Sequence, residues 1–345
     1  VSSPLRIAVV ESLPDWIRDL YAAELVGSDI ELHWANADPA ALAGVGDPSV
    51  LITGKQRVTA ELIEAAASEL RLIQVIGRAP WSVDFEAAER TGVDVSLMPH
   101  RGAIAVAEHA LALALGVYRM LVPGHEQTTV GRYRERGIEP VDTDERTIAF
   151  NWMGFGDIRQ LYGKTLGLVG LGDIGLEVAR RARAFDMDVL YAKRTPVPAG
   201  FDDVIGARHV SLGELLERSD IVSLHAPHTA LTAGMIGAAE LDAMRETAVL
   251  INTSRGGLVD EEALAARLHE RRIAGAGLDV FRQEPVPAEN PLLELDNVLL
   301  SPHTGGGTGG GQKGLVGDVV ANVRRFAEGD KPQHLFVQER REAWP

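Results

Sequence analysis

Three residues able to do chemistry follow short apolar runs late in the chain. Ile251-Asn-Thr-Ser-Arg255 ends on an arginine, Gly277-Leu-Asp279-Val-Phe-Arg-Gln-Glu284 carries a carboxylate, and Leu300-Ser-Pro-His303 carries a histidine. A guanidinium fork fits a carboxylate with two parallel hydrogen bonds. Histidine is the side chain best poised to pass a proton near neutral pH. A nearby carboxylate favours its imidazolium form and orients the ring. Taken singly, each has a plainer reading: Arg255 as a surface ion-pair partner, Glu284 as an acid at a helix terminus, His303 as a packed loop histidine. His109, inside an apolar helical stretch, reads as structural.

A second constellation lies upstream. Gly170-Leu-Gly172-Asp173-Ile174-Gly175 follows the apolar run Thr165–Val169 and opens a helical pattern. The first glycine permits a tight turn, the second lets a pyrophosphate approach the backbone, and the third lets helix and strand pack closely. The helix N-terminus then offers free N–H groups and the positive end of its dipole. Strand, glycines, helix and second strand occur in order, so a dinucleotide site is expected. An NAD site usually presents Asp or Glu at the end of the second strand. Lys193-Arg194-Thr195 stand there instead. Two cations and a hydroxyl suit a 2′-phosphate, so NADP(H) is favoured, with NAD(H) possible. The plainer reading of that triplet is a solvated basic loop.

The elements that must position these groups alternate along the chain. Strands are predicted at 6–10, 30–35, 50–53, 72–76 and 93–98, with helices between them, and a long apolar helix at 103–121. A second series has strands at 165–170, 188–192, 221–225, 248–253, 275–280 and 298–301, again separated by helices. This pattern implies βαβ units and mainly parallel sheets; the second series matches a doubly wound dinucleotide domain. In such a sheet, ligands bind outside the carboxyl ends of the strands. Arg255, Glu284 and His303 can therefore face one crevice. Residues 122–162 lack clean periodicity, and residues 305–311 read Gly-Gly-Gly-Thr-Gly-Gly-Gly, a hinge, a close backbone approach to a ligand, or a flexible surface loop.

Composition narrows the class. At 345 residues two domains are the default. With 34 basic and 49 acidic residues, the net charge of −15 argues against nucleic-acid or anionic-membrane binding. Small anions are held by local charge and stay open. There is no cysteine, hence no disulfide frame, thiolate metal site or thiol nucleophile, and no metal site is expected. No apolar run approaches the roughly 20 residues of a membrane span, and no signal peptide is visible. A cytoplasmic location is expected.

Together these motifs resemble the D-isomer-specific 2-hydroxyacid dehydrogenases. The resemblance runs from about Val50 to Glu328 and includes Val106-Ala-Glu-His109-Ala, Gly163-Lys-Thr-Leu-Gly167 and Ser219-Asp-Ile-Val-Ser-Leu-His225-Ala-Pro227. The Arg255 and Glu284 segments look most like the phosphoglycerate dehydrogenase and glyoxylate/hydroxypyruvate reductase branches. The resemblance implies an α/β chain of two domains: a flavodoxin-like substrate domain (1–102 plus 304–345) and a doubly wound Rossmann cofactor domain (103–303). It implies NAD(P)H-dependent, reversible reduction of a 2-keto acid to a D-2-hydroxy acid, in a homodimer. Arg255 would hold the substrate carboxylate and polarise the carbonyl, His303 would be the acid/base, and Glu284 would pair with it. Asp279 would contact the nicotinamide amide. Ala226, Pro227, Thr232, Thr253, Ser254 and Gly305 would line the cofactor.

Three departures from the family pattern bear on substrate. Gly77-Arg78-Ala79 is followed by Pro80-Trp81-Ser82 where relatives carry a longer glycine-rich loop that grips the carboxylate. Proline has no N–H to donate, and Trp81 offers an apolar or stacking wall. An extra stretch lies near 132–160, in the region of the family's dimer arm. It is expected to reach a partner subunit, to lid the active site, or to be plain surface elaboration. Met98-Pro99-His100-Arg101 places a basic pair near the expected substrate, and with Arg78 suggests a bulkier or additionally anionic acid. Two other functions fit the fold: oxidation of another small anion, which Glu284 disfavours for formate because that branch has Gln, and a non-catalytic cofactor-sensing regulator.

Overall fold

A computed structural model describes residues 4–336 apart from 67, 309 and 310. Two positions of the 305–311 glycine run and the end of the expected 304–345 segment thus lie outside the described residues.

Two parallel sheets organise the chain. The first comprises β1 (Leu5–Val9), β2 (Ile30–Trp34), β3 (Val50–Thr53), β4 (Leu72–Ile76) and β5 (Asp94–Met98) in the order β2-β1-β3-β4-β5. This is the flavodoxin-like order. The second comprises β6 (Thr165–Val169), β7 (Asp188–Ala192), β8 (Arg208–His209), β9 (Ile221–Leu224), β10 (Val249–Asn252), β11 (Gly275–Leu278) and β12 (Val298–Leu300). Its order, β12-β11-β10-β9-β6-β7-β8, is the doubly wound arrangement with a seventh strand at one edge. Central strands such as β3 and β10 are buried throughout, because helices cover both faces of a parallel sheet.

Six strands were expected in the second sheet; the one not expected, β8, has only two residues, too short to show alternation. Three short helices were also illegible: Pro39–Ala43, Leu121–Thr129 and Phe201–Ile205. The first is recognisable in retrospect from its N-cap, Asp38, whose carboxylate accepts from Ala41 N–H at 2.8 Å.

The chain passes between the sheets twice. The connecting helix Arg101–Tyr118 leaves β5 and buries Ala107, Ala110, Leu113 and Ala114 in the core beneath the second sheet, beside Leu166, Leu168 and Ile251. Among the described residues it is the one helix long and apolar enough to cross a membrane, and half of it is buried in this fold. The helix Gly311–Ala327 returns to the first sheet, where Val316, Val319, Val320 and Val323 pack against Ile7, Val9, Val50 and Ile52. Each such valine contributes at most about 1.5–3 kcal/mol. A buried amide pair fixes its register: Asn322 Nδ2 donates to Gln74 Oε1 at 2.8 Å. Leu335 then bridges antiparallel to Ser96 on β5.

The 132–160 stretch is anchored at the amino-terminal side of the second sheet. Arg159 N–H donates to Tyr118 O at 2.8 Å, and its guanidinium to Thr247 O at 2.7 Å, just before β10. Tyr133 and Trp152 meet edge to face at 5.4 Å, and residues 139–150 are exposed. Arg255 and His303 follow the opposite ends of their strands. The lid expectation is therefore corrected for the anchored part of this stretch: it sits at the wrong end of the sheet to cover its own chain's site.

Candidate active site

Thr253–Arg255 follow β10, Asp279–Glu284 follow β11 and Ser301–Gly305 follow β12, so three neighbouring strands deliver these segments to one edge. Arg255, Glu284 and His303 line an open cleft of about 820 Å³, together with His228, Phe281 and Arg282. His303 Nδ1 lies 2.6 Å from Glu284 Oε2, while Glu284 Oε1 accepts from Phe281 N–H at 3.0 Å. Both carboxylate oxygens are thus engaged and the ring is held at Nδ1, leaving Nε2 to face a reactant. Burial works to raise the Glu284 carboxyl. The hydrogen bonds from His303 and Phe281, with the His303 and Arg255 charges, outweigh it and hold the group below its ordinary value. Arg255 is exposed, and one guanidinium N–H donates to Ser254 O. Buried Asn252 steadies its backbone, donating from Nδ2 to Arg255 O at 3.0 Å.

Asp279 is 1% exposed and organises the histidine loop. Its Oδ1 accepts from Ser301 Oγ–H at 2.6 Å and Thr304 N–H at 2.9 Å; its Oδ2 accepts from Gly305 N–H at 2.8 Å. Burial pushes its carboxyl up, but these hydrogen bonds and the His109 ring hold it below the ordinary value. Gly305 is required here, since an added Cβ would lie 2.8 Å from Asp279 Oδ2.

The glycine motif forms a cradle. A Cβ on Gly170 (φ +99°) would lie 2.8 Å from the backbone of His225 and Ala226, and one on Gly175 would lie 2.7 Å from Gly170 O, whereas Gly172 faces open space. The helix Asp173–Arg183 begins at Gly172 without a side-chain cap, so its first N–H groups remain available to a phosphate. Thr253 Oγ1 is buried with no hydrogen-bond partner among the described residues. Both features fit a bound dinucleotide. Burial raises the Asp173 carboxyl against the pull of His100 and Lys55. Ile174 packs against the core of this domain. Ser254 Oγ–H donates to Ala226 O at 2.6 Å and Thr232 Oγ–H to Pro227 O at 2.6 Å, so these two hydroxyls brace the crevice wall from within.

At the end of β7, Lys193 is half-buried. Its Nζ lies 5.5 Å from the Trp81 ring centroid, and burial lowers its pKa. Arg194 and Thr195 are exposed. Asp202, an acid near this loop, accepts from Tyr191 Oη at 2.8 Å.

The first-sheet candidates are placed differently from expectation. Arg78 pairs with Glu177, one turn along the fingerprint helix, at 3.2 Å, and Arg180 and Arg181 share that buried carboxylate. Arg101 turns to Asp318 on the returning helix at 2.7 Å. His100 caps the connecting helix, its Nδ1 accepting from Ala103 N–H at 3.1 Å. Carboxylates and a helix end nearer than the cleft claim these groups, so the expected basic substrate wall is not formed by them. Ala79 and Trp81 pack on the second domain's core, Trp81 edge to face with Phe201 at 6.1 Å. Sequence reasoning missed Ser301 and Asn252 and read His109 as structural, although all three lie inside the quoted motifs.

Similarity to known proteins follows the same lines. A profile described as "D-isomer specific 2-hydroxyacid dehydrogenase, NAD binding domain" matches residues 111–305. A glyoxylate reductase from Thermococcus litoralis is 40% identical over 291 residues, 84% of this chain and 82% of that protein. One from Thermococcus gammatolerans is 36% identical over 96% of this chain and 94% of its own. The crystal structure of an NADPH-dependent glyoxylate/hydroxypyruvate reductase from Sinorhizobium meliloti shares 30% identity and a TM-score of 0.53, covering 97% of this chain and 98% of that one.

Proposed function

The chain belongs to the D-isomer-specific 2-hydroxyacid dehydrogenases, a family of oxidoreductases, and from that premise we propose that it reduces a 2-keto acid to the D-2-hydroxy acid with NADPH preferred over NADH. The observation that carries the reading is the His303–Glu284 pair sharing one cleft with Arg255. The reduced nicotinamide, when bound, supplies the hydride. The chain's own residues do the rest. Arg255 grips the substrate carboxylate. Protonated His303, held at Nδ1 by Glu284, gives the proton that the new alkoxide at C2 needs. In the oxidative direction the neutral ring takes that proton back. The test is loss of nicotinamide absorbance against a panel of 2-keto acids; tight NADPH binding with no turnover on any acid would reject the reading.

Cofactor choice rests on Lys193, Arg194 and Thr195. Changing Lys193 and Arg194 together to Ala is expected to raise KM for NADPH while leaving KM for NADH near wild type. Each lost charge-assisted hydrogen bond is worth about 1.5–3 kcal/mol when shielded from water, and less at exposed Arg194. A wild-type kcat/KM for NADH above that for NADPH would overturn the preference.

The 121–160 arm supports a homodimer. Leu121, Val122, Val130, Ile148 and Phe150 are all exposed apolar side chains, more than a monomer usually presents on one stretch. Light scattering should give twice the chain mass for the wild type. It should give a lighter species for Ile148→Asp with Phe150→Asp; an unchanged mass would remove those two residues from the interface.

A further inference from the structure

His303 is nearly half exposed, with 47% of its side chain open, so packing does not fix its ring. Its backbone sits at φ +54°, the left-handed region that a residue with a Cβ rarely adopts. Something must hold that backbone, and the bonds to Asp279 do: the next two N–H groups, of Thr304 and Gly305, both end on its carboxylate. What holds Asp279 is then the question.

The answer lies on the helix joining the two sheets. His109, midway along Arg101–Tyr118, places Nε2 2.8 Å from Ser301 Oγ and 3.2 Å from Asp279 Oδ1. Ser301 has one hydroxyl proton, and the 2.6 Å contact to an ionised carboxylate takes it. Ser301 therefore accepts from His109, and His109 must carry its proton on Nε2. Asp279 Oδ1 accepts from the Ser301 hydroxyl and the Thr304 N–H, and the His109 ring that holds Ser301 stands 3.2 Å from it.

We propose that His109 and Ser301 are positioning residues for the hydride-transfer reaction, acting through Asp279 to seat His303. The connecting helix begins at Arg101, directly after β5, and packs on β10, β11 and β12. It thereby ties the position of the first sheet to the histidine loop. A shift of this helix is transmitted through one ring to the carboxylate that pins residues 304 and 305. His109 touches neither substrate nor reacting atoms in this scheme; its effect is on where the proton donor stands.

The kinetic test rests on the role of His303 given above; a second readout does not. His109→Leu removes the donor, while His109→Gln keeps an N–H close to the Nε2 position. His109→Leu is expected to lower kcat roughly 10- to 100-fold, the usual size of a misplacement by a remote supporting group, with little change in KM for the keto acid. His109→Gln should recover most of that loss, and Ser301→Ala should show a smaller loss in the same direction. Equal kcat for His109→Leu and wild type, or equal loss in His109→Leu and His109→Gln, would overturn the proposal. Independently of turnover, the Cε1–H NMR signal of His303, assigned by its loss in His303→Gln, should move or broaden in His109→Leu. It should return toward the wild-type position in His109→Gln. An unmoved signal also overturns the proposal, even if the protein reduces no keto acid.

Discussion

Changing His303 to Ala should lower kcat for keto-acid reduction by roughly 10²- to 10⁴-fold, the range that a positioned general acid supplies, while NADPH binding stays near wild type. Hydride addition at C2 leaves an alkoxide, and His303 is the one titratable ring in the cleft held by a carboxylate at 2.6 Å. Without it the proton must come from water. Under the proposed arrangement affinity is spared because the glycine cradle and the Lys193-Arg194-Thr195 loop follow β6 and β7, away from β12. Stopped-flow binding beside steady-state turnover separates the two effects. Equal losses in affinity and turnover would place His303 in the cofactor wall instead. Glu284→Gln refines the assignment. Its carboxyl is held below the ordinary value, so near neutral pH it is charged and accepts from His303 Nδ1. The amide keeps one acceptor but loses the charge, so kcat should fall by less than in His303→Ala, with little change in NADPH affinity. An unchanged kcat would remove Glu284 from the proposed arrangement.

The sheets and the gathering of Arg255, Glu284 and His303 in one cleft were legible because their signals are local. A parallel strand buried on both faces reads as an apolar run, so β3, β4, β9 and β10 fall within a residue of their expected places. Arg255, Glu284 and His303 each follow such a run. The glycine fingerprint is legible because its spacing lies within six residues, although only Gly175 answers a clash inside the same turn, with Gly170 O, while Gly170 makes room for His225 and Ala226. What stayed hidden depends on partners far along the chain. Arg78 and Arg101 looked like substrate cations because nothing beside them in sequence claims them. Glu177 and Asp318 do so, and they lie 99 and 217 residues away. His109 looked structural for the same reason: its partners Ser301 and Asp279 arrive from the other end of the chain. Charge and residue type announce that a side chain is able to bind something; only the fold decides what reaches it first.

Changing Arg255 to Ala is expected to lower kcat/KM for a 2-keto acid by roughly 10²- to 10⁴-fold, which is two charge-assisted hydrogen bonds of about 1.5–3 kcal/mol each. The guanidinium stands past the end of β10 in the shared cleft, exposed, with one N–H tied to Ser254 O among the described residues. The loop Gly77–Ser82 offers less, because Pro80 has no N–H and the Arg78 guanidinium is paired with Glu177. Under the proposed reaction Arg255 is therefore expected to carry more of the carboxylate than it would beside a glycine-rich loop. Lysine should restore little, since an ammonium cannot form the two parallel bonds of a planar fork. The decisive measurement compares glyoxylate with its neutral amide. Wild type should prefer the acid strongly, and Arg255→Ala should collapse that preference by losing the acid while barely changing the amide. If both substrates fall equally, Arg255 acts on the carbonyl or the cofactor alone, and the carboxylate must be held by another group.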